Sequence, residues 1–128
     1  MTEENRRVLY VGTYLEGAEI PLLKHEGFIC DRAETRNEAV LAAERAKYCG
    51  ALITSLRIGA GDCKPSKEYC GNGLELIRDL SEKGLPMVVL TGASKEVRML
   101  ARVNGAQEVL SKPLPLEEWM PVVKRTFL

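Results

Sequence analysis

The chain has 128 residues, which is enough for one domain with a single substantial core. Its 18 basic and 18 acidic residues cancel, and this balance argues against binding of nucleic acid or of a membrane surface through bulk charge. No apolar run approaches the length of a membrane span, and the N-terminus, which contains acids and no apolar core, does not resemble a signal peptide, so the expected location is the cytoplasm.

The first half of the chain predicts three strands separated by two helices. In chain order these elements are strand 7–12, helix 14–26, strand 28–33, helix 35–47 and strand 50–56. Pro21 lies inside the first helical stretch and removes a backbone donor, so this helix either starts late or kinks. The second helix opens with a capping box formed by Thr35 and Glu38.

The second half continues the alternation after a long loop. The loop covers 57–71, and the elements that follow are helix 72–83, strand 87–91, helix 94–104, strand 107–111 and a helix that starts near Pro115. Short apolar strands that alternate with helices are typical of a parallel sheet buried on both faces. The sequence therefore predicts one doubly wound α/β domain over 1–128, with five strands and with helices on both faces.

Four of the predicted strands contain an apolar run that ends in small polar or cationic residues. These residues are Gly12, Thr13, Thr54, Ser55, Thr91 and Lys112. Because the carboxyl ends of parallel strands form the binding edge of an open α/β sheet, we expect these residues to converge there. The set contains hydroxyl groups and one cation but no carboxylate, and this restricts the chemistry of the edge.

Three segments of the second half carry recognisable motifs. They are Asn-Gly-Leu-Glu-Leu-Ile-Arg at 72–78, Val-Val-Leu-Thr-Gly at 88–92 and Gly-Ala-Gln-Glu-Val-Leu-Ser-Lys-Pro-Leu at 105–114. In this order and spacing they resemble the receiver domain of bacterial response regulators, the CheY-like family, and the resemblance covers nearly the whole chain. It implies the flavodoxin-like strand order 2-1-3-4-5 and a role in two-component or phosphorelay signal transduction.

The resemblance also shows where the chain departs from the family. Receivers accept a phosphoryl group on an aspartate after strand 3, hold Mg²⁺ with an acidic pair after strand 1, and contact the phosphoryl group with a threonine and a lysine after strands 4 and 5. Thr91 and Lys112 match this pattern. Gly12 and Thr13 stand in place of the acidic pair, and Ser55 stands in place of the acceptor aspartate. Receivers also have an aromatic switch residue on strand 5, and its position is taken by Val109. If strand 3 slips by one residue, Thr54 takes the acceptor position.

These substitutions predict a pseudo-receiver that lacks the phosphoacceptor aspartate. Mg²⁺ prefers hard oxygen ligands that include carboxylates, and an acyl phosphate requires a carboxylate nucleophile. We therefore expect no metal, no cofactor and no enzyme activity. The expected function is that of a cytoplasmic signalling module that binds a protein partner, a kinase or a regulator, without aspartyl phosphorylation.

Two alternatives stay open. In the first, the chain is an atypical phosphoacceptor in a phosphorelay. In the second, it is a small redox or ligand sensor that uses the inserted loop 57–71, about ten residues longer than in a typical receiver, where Cys63 and Cys70 are a candidate redox pair. Two independent free thiols are the other interpretation of these cysteines.

Lys112 and the last two helices each have two interpretations. Lys112 either has a structural role, bonded to backbone carbonyls or to Asp62 or Glu16, or contributes to an anion site at the strand-end edge. The many charged residues of helices 4 and 5 indicate a solvated face. The resemblance raises the alternative that helix 4, strand 5 and helix 5 form an interface with a partner or with a second copy in a homodimer.

Overall fold

Ten helices and strands alternate along the part of the chain that the computed structural model describes, which comprises residues 6–12, 18–56 and 71–128. In chain order they are β1 (Arg7–Val11), α1 (Glu19–His25), β2 (Ile29–Ala33), α2 (Arg36–Arg45), β3 (Gly50–Ile53), α3 (Gly71–Glu82), β4 (Met87–Thr91), α4 (Lys95–Val103), β5 (Glu108–Ser111) and α5 (Leu116–Phe127). The strands form one parallel sheet in the order β2-β1-β3-β4-β5, which confirms the predicted fold and strand order.

The helix starts show how local sequence sets the boundaries. Helix α1 starts late, at Glu19, and Pro21 lies in its first turn, where a backbone N–H has no partner within the helix. The hydroxyl of Thr35 accepts a hydrogen bond from the amide of Glu38 (3.1 Å), as the predicted capping box requires. The Glu38 carboxylate, however, accepts from the amide of Glu34 (3.2 Å), one residue before the cap.

Two elements end clearly earlier than the sequence predicts. Strand β3 ends at Ile53 rather than at 56, and helix α2 ends at Arg45 because Ala46 already has an extended backbone. Helix α5 continues through Pro121, which lies in its interior. None of the described helices is both long enough and apolar enough to cross a membrane.

Side chains of each strand alternate between two apolar clusters, one on each face of the sheet. The face that is covered by α2, α3 and α4 includes Leu9, Val11, Ile53 and Val89. The opposite face, which is covered by α1 and α5, includes Val8, Tyr10, Leu52, Val88 and Trp119. Burial on both faces is why the inner strands β1, β3 and β4 are almost continuously apolar, and it makes their ends the place where polar side chains can gather.

Candidate functional site

Backbone hydrogen bonds continue past the strand ends and bring the predicted edge together. The amide of Gly12 donates to the carbonyl of Ala33 (3.1 Å), and the amide of Thr54 donates to the carbonyl of Val11 (2.8 Å). At the other side of the sheet, the amide of Lys112 donates to the carbonyl of Thr91 (2.9 Å). Gly12, Thr54, Thr91 and Lys112 thus lie along one edge, whereas Thr13 is outside the described residues.

The Lys112 side chain crosses the end of β4 and reaches β3. Its ammonium group donates a hydrogen bond of 2.6 Å to the carbonyl oxygen of Thr54, and the side chain is partly buried. This contact agrees with the structural interpretation of Lys112, in which its ammonium group bonds to a backbone carbonyl. Asp62 and Glu16, the acids proposed as partners, lie outside the described residues, and an anion at this edge stays a prediction.

Thr54 belongs to a buried hydrogen-bonded chain that sequence reasoning missed. Its hydroxyl oxygen lies 3.1 Å from the phenol oxygen of Tyr10 and 3.3 Å from the carbonyl oxygen of Val11. The Tyr10 hydroxyl in turn donates to the carboxylate of Glu19 at 2.6 Å. A tyrosine inside an apolar strand is the available signal, since a buried phenol usually needs a hydrogen-bond partner.

The alternation of strand side chains distinguishes Thr54 from Ser55. Ile53, the last residue of β3, packs with Val89 on the face of the sheet that is covered by α2, α3 and α4. Thr54 points to the other face, where it meets Tyr10. Of the two alternatives for the acceptor position, this geometry favours Ser55, which is partly exposed, over the buried Thr54.

The connection between β4 and α4 is held by side-chain hydrogen bonds. The buried Thr91 hydroxyl accepts from the amide of Ala93 (3.1 Å), and the Arg98 guanidinium donates to the carbonyl of Ala93 (2.8 Å). Val109, at the position of the aromatic switch, is buried, and its carbonyl accepts from Arg102 at 3.4 Å. These contacts give the loop beyond Thr91 a defined conformation.

Metal-binding groups do not gather in the part of the chain that the structure describes. There, no three His, Cys, Asp or Glu side chains are grouped so that they could hold a metal ion. His25 ends α1 and is exposed. The strand-end edge offers hydroxyls, backbone carbonyls and the Lys112 ammonium, a set that can bind or orient polar groups but contains no carboxylate nucleophile among these residues.

Two of the four cysteines lie in the described residues, and both are free. Burial raises the pKa of the Cys30 thiol to about 11, and burial also raises the pKa of Cys49. Cys63 and Cys70, the candidate redox pair, lie outside the described residues, so their pairing stays a prediction. A thiol is nucleophilic as its thiolate, so Cys30 and Cys49 are poorly suited to redox chemistry at neutral pH.

The raised pKa of Cys30 predicts slow alkylation of the native protein. With a pKa of about 11, roughly one thiol in a thousand is ionised at pH 8. We expect the rate of iodoacetamide labelling at Cys30, followed by peptide mass spectrometry, to rise steadily between pH 8 and pH 10. A rate that levels off below pH 9 would contradict the effect of burial, and the urea-unfolded chain supplies the reference rate.

The hydroxyl of Tyr10 is expected to stabilise the strand-end edge. Tyr10→Phe removes the donor to Glu19 and the acceptor for Thr54, and it should lower the free energy of unfolding by about 1 kcal/mol. Urea denaturation measures the change. Thr54→Val is the partner variant, and the double variant should lose less than the sum of the single ones. Full additivity would show that the two hydroxyls are not coupled.

Comparison with known proteins places the fold. The sequence matches no protein-family model and no curated protein. The structure resembles the receiver domain of a CheY-like response regulator protein from Methanospirillum hungatei JF-1, with a TM-score of 0.75 and 22% identity over 96% of this chain and 94% of that one. It also resembles the non-phosphorylated HemR receiver domain from Leptospira biflexa, with a TM-score of 0.76 and 24% identity over 96% of this chain and 94% of that one.

A third structure shows the same architecture in a different state. It is the solution structure of the beryllofluoride-activated NtrC4 receiver domain dimer, with a TM-score of 0.72 and 25% identity over 95% of this chain and 96% of that one. The chain thus has the CheY-like receiver fold of two-component response regulators.

Proposed function

We propose that this chain is a pseudo-receiver, a cytoplasmic signalling module that acts through protein–protein contacts without aspartyl phosphorylation and without enzyme activity. The observation that carries the proposal is the Lys112 ammonium, which is bonded to the carbonyl of Thr54 at an edge where Gly12 and Ser55 replace acids. The fold supports the signalling class, and the substituted edge supports the loss of phosphoryl chemistry.

The electrostatics of the edge argue against phosphoryl transfer. The reaction depends on a metal ion that neutralises the charge developing on the transferred group, and Mg²⁺ normally requires one or two carboxylates. Gly12 supplies only backbone atoms and Ser55 only a neutral hydroxyl. Thr91 occupies the position of the threonine that receivers carry after strand 4, but its hydroxyl already accepts a hydrogen bond from the amide of Ala93. The cation and hydroxyl that remain stabilise the protein's own loops.

Acetyl phosphate with Mg²⁺ should leave the protein unmodified. Intact-mass spectrometry is expected to show no phosphoryl adduct, because no carboxylate lies at the acceptor position. Beryllofluoride with Mg²⁺ should likewise leave the melting temperature unchanged, since a ligand that binds only the native state would raise it. A receiver with an intact acidic site, treated in parallel, is the positive control.

The alternative of an atypical phosphoacceptor is tested in the same experiment. A stoichiometric adduct that is present in the unaltered chain and absent from Ser55→Ala would overturn the pseudo-receiver proposal and establish serine as the acceptor. Ser81→Ala is the matched control, because this serine is partly exposed like Ser55 but lies near the C-terminal end of α3, at the end of the sheet where β4 begins. An adduct that survives both replacements would place the acceptor at another residue. It would also contradict the proposal that the chain does not accept a phosphoryl group.

The outer surface of α4 is the docking surface that we propose for the partner, a kinase or a regulator. Met99, Leu100 and Val103 are exposed apolar residues on this helix, and Val103 is 81% exposed. They lie beside exposed charged residues, Glu96 and Arg102. An apolar patch with a polar rim is typical of a protein interface. Sedimentation over a range of concentrations distinguishes a homodimer from a different partner.

A further inference from the structure

The outward side of α2 is a surface that the function proposed above does not use. Ala39 is buried against the sheet, and Leu41, which lies about 200° further around the helix, is 46% exposed. Glu38 and Arg45 lie three residues before and four residues after Leu41, so the three residues share one face of the helix. Both charged residues are exposed. We call Glu38, Leu41 and Arg45 the α2 ridge.

The two charges of the α2 ridge are not paired within the part of the chain that the structure describes. The other charged residues of α2, Arg36 and Glu44, form ion pairs with α3. Among the described residues Glu38 and Arg45 form no ion pair, and the Glu38 carboxylate accepts a hydrogen bond from the amide of Glu34. The ridge therefore presents an acid in the first turn of α2 and a base in its last turn to the surroundings.

The order of these charges makes the ridge complementary to itself. When two copies of α2 lie antiparallel across a two-fold axis at Leu41, Glu38 of each copy is opposite Arg45 of the other. Glu34 before the helix and Lys47 after it repeat the order of acid before base. Antiparallel helices also align their dipoles favourably. A parallel pair would instead place each charge opposite its own copy.

The charges elsewhere do not oppose this contact. The chain has 18 basic and 18 acidic residues, so two copies do not repel each other through their net charge. On the neighbouring helix α3, Arg78 and Glu82 are also exposed and form no ion pair with another described residue, but they are one of each sign. Helix α3 packs between α2 and α4, so a contact through the α2 ridge leaves the α4 surface uncovered.

We propose that this chain forms a homodimer in which α2 packs antiparallel against α2 of a second copy. The two Leu41 side chains meet at the two-fold axis, and a Glu38–Arg45 pair on each side of it fixes the register. One helix from each copy makes a small interface, so the association is weak and reversible. Each copy in the dimer keeps its α4 surface available for the partner proposed above.

Sedimentation equilibrium of the full chain at concentrations up to about 1 mM tests the proposal. The average mass should rise with concentration from 14.2 kDa towards twice that value. Leu41→Glu should weaken the association about tenfold or more, because it places two carboxylates at the axis. Leu100→Glu is the matched control, because Leu100 is a 47% exposed leucine on α4, and it should leave the association unchanged.

Charge reversal tests the antiparallel register. Glu38→Lys and Arg45→Glu each place like charges at both contacts of the homodimer, and each should weaken the association about tenfold. An equimolar mixture of the two variants should associate as the unaltered chain does, because both contacts of the mixed dimer join opposite charges again. Damage to α2 itself would not be repaired by mixing, and far-UV circular dichroism reports whether each variant keeps its helices.

Three outcomes would overturn the proposal. The first is a chain that stays monomeric up to about 1 mM. The second is equal weakening by Leu41→Glu and Leu100→Glu, or weakening by Leu100→Glu alone, which would move the interface to α4. The third is a mixture of Glu38→Lys and Arg45→Glu that associates no better than either variant alone, which would exclude the antiparallel pairing of α2.

Discussion

Replacement of Gly73 by alanine should destabilise the protein by about 2 kcal/mol. A β-carbon at this position of α3 would lie 2.3 Å from the carbonyl oxygen and 2.7 Å from the α-carbon of Leu56. In an unconstrained helix, alanine is more stable than glycine by roughly 1 kcal/mol. The contact reverses the sign, because the atoms in the way are backbone atoms of a buried residue and cannot rotate aside.

Urea denaturation of Gly73→Ala and Gly92→Ala measures this effect. A β-carbon on Gly92 would have no atom within 4 Å, so the control should change the free energy of unfolding by less than about 0.5 kcal/mol. If Gly73→Ala were as stable as the control, α3 would be free to move away from the end of β3. The close approach would then not constrain the segment that carries Ser55.

Truncation of Trp119 to alanine should cost about 3 to 5 kcal/mol. The indole is buried in the cluster that joins α5 to the sheet, among Val8, Tyr10 and Leu52. Its removal loses the transfer free energy of the side chain and leaves a cavity that the neighbouring strands cannot fill.

Leu116→Ala is the matched control for Trp119→Ala, because Leu116 begins the same helix but is 38% exposed. It should cost less than about 1 kcal/mol. Thermal and urea unfolding monitored by far-UV circular dichroism compare the two variants without relying on indole fluorescence. Similar losses for both would indicate that α5 contributes through its helical backbone rather than through the buried indole.

The fold was predictable because its signals are local and repeated. Apolar strands, the caps at Thr35 and Ser94 and the alternation with helices are each visible within a few residues, and the resemblance carried by the three motif segments together implied the strand order. The late start of α1 follows from Pro21.

The candidate site was only partly predictable, because its decisive contacts join residues far apart in the chain. Composition indicates that Lys112 needs a hydrogen-bond acceptor, but only the geometry places it on the carbonyl of Thr54, 58 positions earlier. The contact between Tyr10 and Thr54 spans 44 positions. The ion pairs of Arg36 with Glu75 and Asp79 likewise join α2 to α3, and no local pattern indicates them.

The close approach of Gly73 to Leu56 has a consequence for how the chain can vary. The two residues that bracket segment 57–72 are fixed against each other, so the ends of any connection between them are already close. The entropy of closing a loop grows only with the logarithm of its length, and doubling the length costs about 0.6 kcal/mol. At this point the chain can gain or lose residues at little cost in loop-closure entropy.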